Sequence, residues 1–322
     1  MKISVVMAVY NGEKHITEQL ESIYNQNRKP DEVIIVDDRS SDSTAEIIAQ
    51  FIREKDLGQA WHYYLNASNK GVVRNFLDGA AAASGDIVFY SDQDDVWDAR
   101  KIGMMEQGFL DHSDMVACYC LRNIIDGEGN ILDVPLSNKL SNVRIRTQGF
   151  QKIRFTEAVK YNKSPGLCLA IRKELIQETR DMILDNSLTH DLPIGTVASI
   201  KDGYYVLNQR LVNYRQHGDN VSSPRYHLSD RLSKYDAQIQ GRKLRLKQMR
   251  VILDQYENEM NKKDRDQFIE AIKWTEKSID ALTAHDCKTL FGQVFTLNPM
   301  NNRWIAANNF LSCIKNKKQQ GV

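Results

Sequence analysis

The first ninety residues constrain the fold more than any other feature of the chain. Four apolar runs, at residues 3–9, 33–36, 61–65 and 87–90, alternate with stretches whose apolar residues recur every three to four positions. The run ISVVMAV at 3–9 is apolar almost throughout, as a strand covered on both faces requires. Between the runs, Ile16, Leu20, Ile23 and Tyr24 make one helical stripe, and Ile47, Ile48, Phe51 and Ile52 make another. Ser40, Ser41, Asp42 and Ser43 offer N-caps for the second helix. The alanine-rich stretch 71–83 reads as a third, stopped by Ser84-Gly85. Strand and helix in alternation predict an α/β fold: a mostly parallel sheet flanked by helices. Ligands of such sheets bind beyond the carboxyl ends of the strands. The polar clusters Tyr10-Asn11, Asp37-Asp38 and Asp92 to Asp95 each follow a strand end, so they are expected to meet at one crevice.

Further along, strands are expected at 115–121, 166–171 and 204–207, and a helix at 173–183. His190-Asp191 precedes another helical stretch, 214–220 is polar, and 133–163 shows no clear period. The character changes near residue 228. Leu232, Tyr235, Ile239, Leu246, Met249, Leu253, Tyr256 and Met260 follow steps of three and four, with Arg242 in one slot. Phe268, Ile272, Ile279 and Leu282 continue the series after a charged break at 262–265. This predicts two long helices in an antiparallel hairpin. A basic amphipathic stretch follows at 303–318, with Trp304, Phe310, Leu311 and Ile314 interspersed. The expected organisation is an α/β domain over 1–225 and, over 226–322, a C-terminal helical extension of hairpin and basic tail.

Composition excludes several classes. The 322 residues carry a net charge of +1, which sets up no global field for nucleic acid. No apolar stretch approaches the ~18 residues of a membrane span, and the run at 3–9 is too short for a secretory signal core. Cys118, Cys120, Cys168, Cys287 and Cys313 show neither zinc-site nor disulfide-framework spacing, so reduced thiols in a cytoplasmic protein are expected. Between Arg225 and Arg250 stand eight basic residues and two acidic ones. The hairpin is expected to pack on the α/β domain or on a second copy, as in a homodimer. For the last helix, peripheral contact with the anionic inner face of the plasma membrane is the expectation.

The chemistry centres on Asp92-Gln93-Asp94. Carboxylates at the end of a buried strand suit a hard divalent cation, Mg²⁺ or Mn²⁺, that keeps positions open for phosphate oxygens. Three aspartates in four residues repel one another, which argues against a mere solvated turn. Asp38 is placed to accept hydrogen bonds from a ribose or a base, or else to cap a helix. Lys70 and Arg74, at a helix start, are placed to meet a diphosphate, or else stand as solvated cations. Asp191 opens a helix and is either its N-cap or a general base for an acceptor hydroxyl. His217 is either a surface histidine or, with Asp94, a metal ligand.

Taken together, MAVYNGEKHITEQLESIYNQ, EVIIVDDRSSDST and ASGDIVFYSDQDDVW resemble the family 2 glycosyltransferases, with the fold called GT-A. PGLCLAIRKEL, THD and YRQHGDN look like that family's acceptor-side motifs, and the resemblance covers about residues 1 to 225. SDQDDVW with YRQHGDN is most similar to the bacterial rhamnosyltransferase-like branch, which builds cell-wall or capsular polysaccharide. The resemblance implies that Tyr10 and the backbone at Ala8 hold the nucleobase and that Asp38 contacts base or ribose. It implies that Asp92 contacts ribose or sugar, that Asp94 and His217 bind the metal, and that Asp191 is the catalytic base of a single, inverting displacement. The implied partners are a nucleotide-diphosphate sugar, with dTDP-rhamnose the suggested donor, and a saccharide or lipid-linked acceptor. Two departures stand out: His190-Asp191 where many members have Glu-Asp, and Ala8-Val9 where a polar Thr or Ser often precedes the Tyr-Asn pair. A nucleotidyltransferase would share sheet, metal and aspartates, but VYNGEKHITEQ lacks its glycine-rich basic loop. A non-catalytic assembly protein predicts lost site residues, whereas Asp94, Asp191 and His217 are all present.

Overall fold

The structure, a computed structural model, describes residues 1–132, 147–161, 166–216, 235–296, 300 and 303–320. Its strands are β1 (Ile3–Val9), β2 (Glu32–Asp37), β3 (Trp61–Leu65), β4 (Ile87–Asp92), β5 (Val96–Trp97), β6 (Ala117–Ile125), β7 (Phe150–Lys152), β8 (Leu169–Arg172) and β9 (Tyr204–Arg215). Its helices are α1 (Ile16–Tyr24), α2 (Thr44–Glu54), α3 (Val72–Ala82), α4 (Lys101–Asp111), α5 (Phe155–Tyr161), α6 (Lys173–Asp185), α7 (Asp191–Ile200), α8 (Tyr235–Tyr256), α9 (Lys262–Thr283), α10 (Cys287–Phe295) and α11 (Arg303–Gln320). The described residues form two compact units, one holding the sheet and the other holding α5 and α8 to α11.

In the first unit the nine strands make one sheet in the order β3-β2-β1-β4-β8-β6-β9-β5, with β7 also on β9. The β3-β2-β1-β4 half is parallel, as the alternating pattern requires. The other half mixes directions, since β8 runs antiparallel to both β4 and β6 while β6 and β9 are parallel. Every residue of β1 is buried, which explains its apolar composition. Helices cover both faces of the sheet. α3 packs so closely that a Cβ on Gly79 would lie 2.5 Å from Val6 Cγ1 and 3.0 Å from Val36 Cγ2. The Gln19 side chain of α1 hydrogen-bonds the Ser91 hydroxyl at 2.6 Å, and Ser91 pairs in register with Met7. Residues 6 and 7 of one strand point to opposite faces, so α3 and α1 lie on opposite sides.

Some elements differ from expectation. β4 continues through Ser91 and Asp92, because the register with β1 persists to Ala8–Asp92. Residues 166–168 form a 3₁₀ turn before β8 rather than the start of a strand. β9 is twelve residues long, since Asn208 to Arg210, polar in sequence, lie along a bulged pairing with β6. β7 and α5 fill part of the segment that showed no period.

The second unit contains the expected antiparallel hairpin. Tyr235 at the head of α8 donates its hydroxyl hydrogen to the Leu282 carbonyl near the tail of α9 at 2.6 Å. Asn261 caps α9 by accepting from the Asp264 N–H, so the charged stretch at 262–265 is the helix's first turn rather than a break. Tyr235, Ile239, Met249, Tyr256, Phe268, Ile272, Ile279 and Leu282 are buried, as the seam predicts, whereas Leu246 and Leu253 are only partly so. Gln248 and Ile252 are buried instead, the drift expected of a 3.6-residue helix against a 3.5-residue repeat. Leu232 lies outside the described residues. Arg242 and Arg245 turn inward, bonding the Asn309 side chain and the Val159 carbonyl, and burial pulls both guanidinium pKa values down to about 10.

The thiol expectation needs correction. Cys118, Cys120 and Cys168 are free and buried, but Cys287 and Cys313 are joined in a disulfide between α10 and α11. They are 26 residues apart with Cα atoms 5.9 Å apart, a proximity created by helix packing that sequence spacing does not encode. Among the described residues, no helix is long and apolar enough to cross a membrane.

The close approach of α3 generates a test. Gly79→Val should lower the unfolding free energy by about 1–3 kcal/mol, since buried valines on two strands leave no room for the added groups. Urea unfolding measures this, and an unchanged midpoint would contradict the packing.

Candidate active site

The site is built where β1 and β4 end side by side. Ala8 and Asp92 are register partners, so the backbone of one lies next to the carboxylate residue of the other. Gln93 clamps the two ends together. Its Oε1 accepts from Tyr10 N–H at 2.7 Å and its Nε2 donates to the Tyr10 carbonyl at 2.9 Å. The Tyr10 ring itself remains 49% exposed, available to a flat ligand.

Asp38 follows β2 and is almost fully buried. One carboxylate oxygen accepts from Asn66 Nδ2 (2.9 Å) and Lys70 N–H (2.7 Å), and the other from Gly71 N–H (2.7 Å). Three of its roughly four acceptor positions are thereby filled by the protein. Asp38 thus fixes the loop that leads into α3, through N–H groups that precede the helix rather than by capping its first turn. Lys70 and Arg74 both reach Asp78, at 3.2 and 3.0 Å, in exposed ion pairs.

Asp92, Asp94 and Asp191 come together electrostatically. Burial raises the Asp92 pKa to about 7, and the Asp94 and Asp191 charges push it the same way, while Lys101 and Arg122 oppose them. Asp94 and Asp191 are both partly exposed, so both are open to a ligand. One oxygen of Asp191 accepts from the N–H of Leu192 at 2.9 Å at the start of α7. Asp95, by contrast, is fully buried, and its carboxyl pKa lies well above the usual range, first through burial and then through the Asp92 and Asp94 charges. A like-charged carboxylate set in half-buried surroundings, offering only oxygen, fits a hard divalent cation that completes its shell with phosphate oxygens and water. Among the described residues, no group of three or more His, Cys, Asp or Glu side chains is placed to hold a metal ion. His217, the expected second ligand, lies outside the described residues.

Three cations around this rim escaped the sequence reading. Lys101 is fully buried in the first turn of α4. It donates to the Leu167 carbonyl at 2.8 Å and sits 3.3 Å from the Trp97 ring centroid. Burial pulls its pKa down to about 8, against the pull of Cys120, Cys168, Asp95 and Asp92. Arg122 of β6 stacks over the Tyr214 ring at 4.8 Å. Arg215, 1% exposed, donates from Nε to the Asp94 carbonyl at 2.9 Å and from its backbone N–H to Asp95 Oδ1 at 3.1 Å. Its remaining nitrogens reach the Gly127 carbonyl and the Glu18 carboxylate. Nothing in local sequence distinguishes these from solvated basic residues; Arg215 alone lies in a segment, YRQHGDN, already singled out.

His190, directly before Asp191, packs its ring against Phe76 (centroids 4.9 Å) and edge-on to Tyr90 (5.4 Å), in space that Gly166 leaves by lacking a side chain. Neither ring nitrogen has a hydrogen-bond partner among the described residues. Burial lowers the imidazole pKa from its usual 6.5, with the Asp191 charge partly opposing it. Below pH 6.5 the unfolded chain therefore takes the proton first. The stability His190 contributes is complete above about that pH and is lost as pH falls through the folded-state pKa. His190→Asn should flatten the fall in melting temperature between neutral and mildly acidic pH that the native protein shows. Parallel thermal melts at the two pH values check this, and an identical slope in both proteins would contradict it.

Comparisons with known proteins bear on the family and the fold. The family profile described as Glycosyl transferase family 2 matches residues 4–179. The dTDP-rhamnosyl transferase RfbG of Shigella flexneri is 27% identical over 226 residues, covering 66% of this chain and 72% of that protein. An uncharacterized glycosyltransferase of Nostoc is 32% identical over 158 residues, 46% of each chain. The poly(ribitol-phosphate) beta-glucosyltransferase of Bacillus spizizenii is 36% identical over 97 residues, 30% of this chain and 15% of that protein. The chain thus spans less than half the length of two of these relatives. Among solved structures, S. aureus TarS in complex with UDP-GlcNAc superposes with a TM-score of 0.56 at 17% identity, over 100% of this chain and 92% of that one. The mannosyltransferase PcManGT from Pyrobaculum calidifontis, in complex with GDP-Man and Mn²⁺, gives 0.57 at 16% identity, over 99% and 88%. At such identities these two likenesses speak for the fold.

Proposed function

The chain belongs to glycosyl transferase family 2, and from that premise we propose that it moves a sugar from a nucleotide-diphosphate donor to a saccharide hydroxyl with inversion. What supports this reading is that Asp92, beside Ala8 at the carboxyl end of the parallel half-sheet, feels the charges of both Asp94 and Asp191, which come from distant segments. In this reading the donor's base lies against Tyr10 and the backbone at Ala8, and its ribose or sugar meets Asp92, with Asp38 holding the adjoining loop and keeping one acceptor position for the nucleoside.

Lys70 and Arg74 turn to the diphosphate. Their exposed pairs with Asp78 are each worth only ~0–1 kcal/mol, less than the ~1.5–3 kcal/mol of a hydrogen bond to a charged group, so a phosphate competes well for them. Asp191 takes the proton of the acceptor hydroxyl at a carboxylate oxygen. The freed oxygen attacks the anomeric carbon from the side opposite the diphosphate, which leaves with the bonding electrons. A divalent cation, Mg²⁺ or Mn²⁺, when bound, supplies charge neutralisation for the departing diphosphate. Asp94 is its proposed ligand. Arg215 anchors the Asp94 peptide, and His217, the other proposed ligand, follows Arg215 by two residues in sequence.

The likeness to the Shigella dTDP-rhamnosyl transferase supports dTDP-rhamnose as donor; the proposed acceptor is a growing cell-surface polysaccharide or lipid-linked saccharide.

Two experiments test the reading. Asp191→Asn should lower transfer by roughly 10²–10⁴-fold while preserving the thermal shift given by the donor; near-native transfer by this variant refutes the base assignment. In a thermal-shift screen of nucleotide sugars with Mn²⁺, dTDP-rhamnose should stabilise the protein and chelator should abolish the shift. Stabilisation by a uridine sugar alone would overturn the rhamnose assignment, and a shift indifferent to chelator would overturn the metal.

A further inference from the structure

The C-terminal helices carry an exposed apolar surface that holds none of the site residues named above. In α10, Leu290 is fully buried and Gln293 nearly so, which defines the inner face of that helix. Phe291 and Phe295, one turn apart, face outward and are 49% and 66% exposed. Their rings touch edge to face with centroids 5.1 Å apart, and Phe291 lies at the same distance from Phe310 of α11. Leu311, 40% exposed, adds to the outward apolar surface of α11. Beneath the patch, the Cys287–Cys313 disulfide and a core of Tyr235, Ile239, Leu282 and Leu290 hold the two helices together. The aromatic cluster is therefore displayed on a braced support.

Charge identifies what covers it. The chain carries 42 acidic residues in 322, about one in eight, yet the 36 residues from Cys287 to Val322 contain none. The same stretch holds five basic residues: Lys288, Arg303, Lys315, Lys317 and Lys318. A second copy docking through this face would set the same basic stretch against itself, because a two-fold interface pairs a patch with its own twin. An anionic lipid surface has the opposite complement: acyl chains for the phenylalanines and phosphate headgroups for the lysines. The basic residues of the hairpin are a poorer candidate, since Arg242 and Arg245 turn inward.

We propose that α10 and α11 form a peripheral docking surface for an anionic bilayer, with Phe291 and Phe295 inserting at the headgroup boundary and the acid-free basic stretch supplying the attraction. The inference is independent of the donor and base assignments, so its failure leaves them standing.

The test is co-sedimentation of the full chain with vesicles of phosphatidylcholine alone or mixed in equal parts with phosphatidylglycerol. The protein should pellet with the mixed vesicles only, and less as salt rises. Phe291→Ser with Phe295→Ser should weaken that binding about tenfold or more, while Lys288→Glu with Lys317→Glu should weaken it mainly at low salt. Transfer to a soluble acceptor should be unchanged in both double variants, which also confirms that they fold. Absence of pelleting with mixed vesicles, or pelleting that the phenylalanine variant leaves intact, overturns the proposal. So does a concentration-dependent dimer, seen by light scattering, that the same variant abolishes.

Discussion

Negative charge gathered at the end of β4 is the constraint to which the rest of the site answers. Asp92 ends a strand buried up to that point, Asp94 and Asp95 follow it, and Asp191 stands at the start of α7. Like charges in half-buried surroundings cannot all ionise without counter-charge. The protein answers in three ways. Burial and the neighbouring charges hold the Asp95 carboxyl well above the usual range, a buried Lys101 is drawn by the Asp92 and Asp95 charges, and Arg122 of β6 opposes the rise at Asp92. What remains, a partly open Asp94 beside Asp92, suits a ligand that brings positive charge of its own.

The fold serves this arrangement through register and a few long-range bonds. Pairing of β1 with β4 continues one residue pair into the polar cluster, which puts Ala8 beside Asp92, and the Gln93 amide then locks Tyr10 to the same rim. Arg215 ties the Asp94 peptide to the 126–127 turn and to α1, so the end of β9 and the acidic loop are bonded together. Removing that guanidinium would strand several carbonyls at once, a larger loss than one hydrogen bond suggests. Among the described residues, the neighbouring His190 adds ring packing rather than ring hydrogen bonds to the start of α7, between Phe76 and Tyr90.

Much of this was legible in the residues themselves. ISVVMAV could only be a strand covered on both faces, and the stripe of α1 was equally plain because period and burial agree there. The convergence of strand-end clusters followed from topology alone. Other features were illegible for definable reasons. Lys101 looked like any solvated lysine until the phase of α4 turned it inward. Asp38 offered a ribose ligand and a cap with equal plausibility, and only the path of the 66–71 loop shows what fills its oxygens. The Cys287–Cys313 bond depends on the packing of α10 on α11, to which spacing in the chain gives no clue. Arg242 occupied a seam slot in the heptad series and was indeed drawn inward, a case where period outweighed charge.

The central claim is that the acidic rim is a donor site with Asp191 on its acceptor side. A crystal structure of the protein with a nucleotide sugar and Mn²⁺ tests it most directly. The account predicts an Asp94 oxygen on the cation at about 2.0–2.2 Å with diphosphate oxygens completing the shell. It also predicts the Asp191 carboxylate facing the anomeric carbon from the side away from the diphosphate. Nucleotide bound elsewhere, or an Asp191 carboxylate turned away from the sugar, would contradict it.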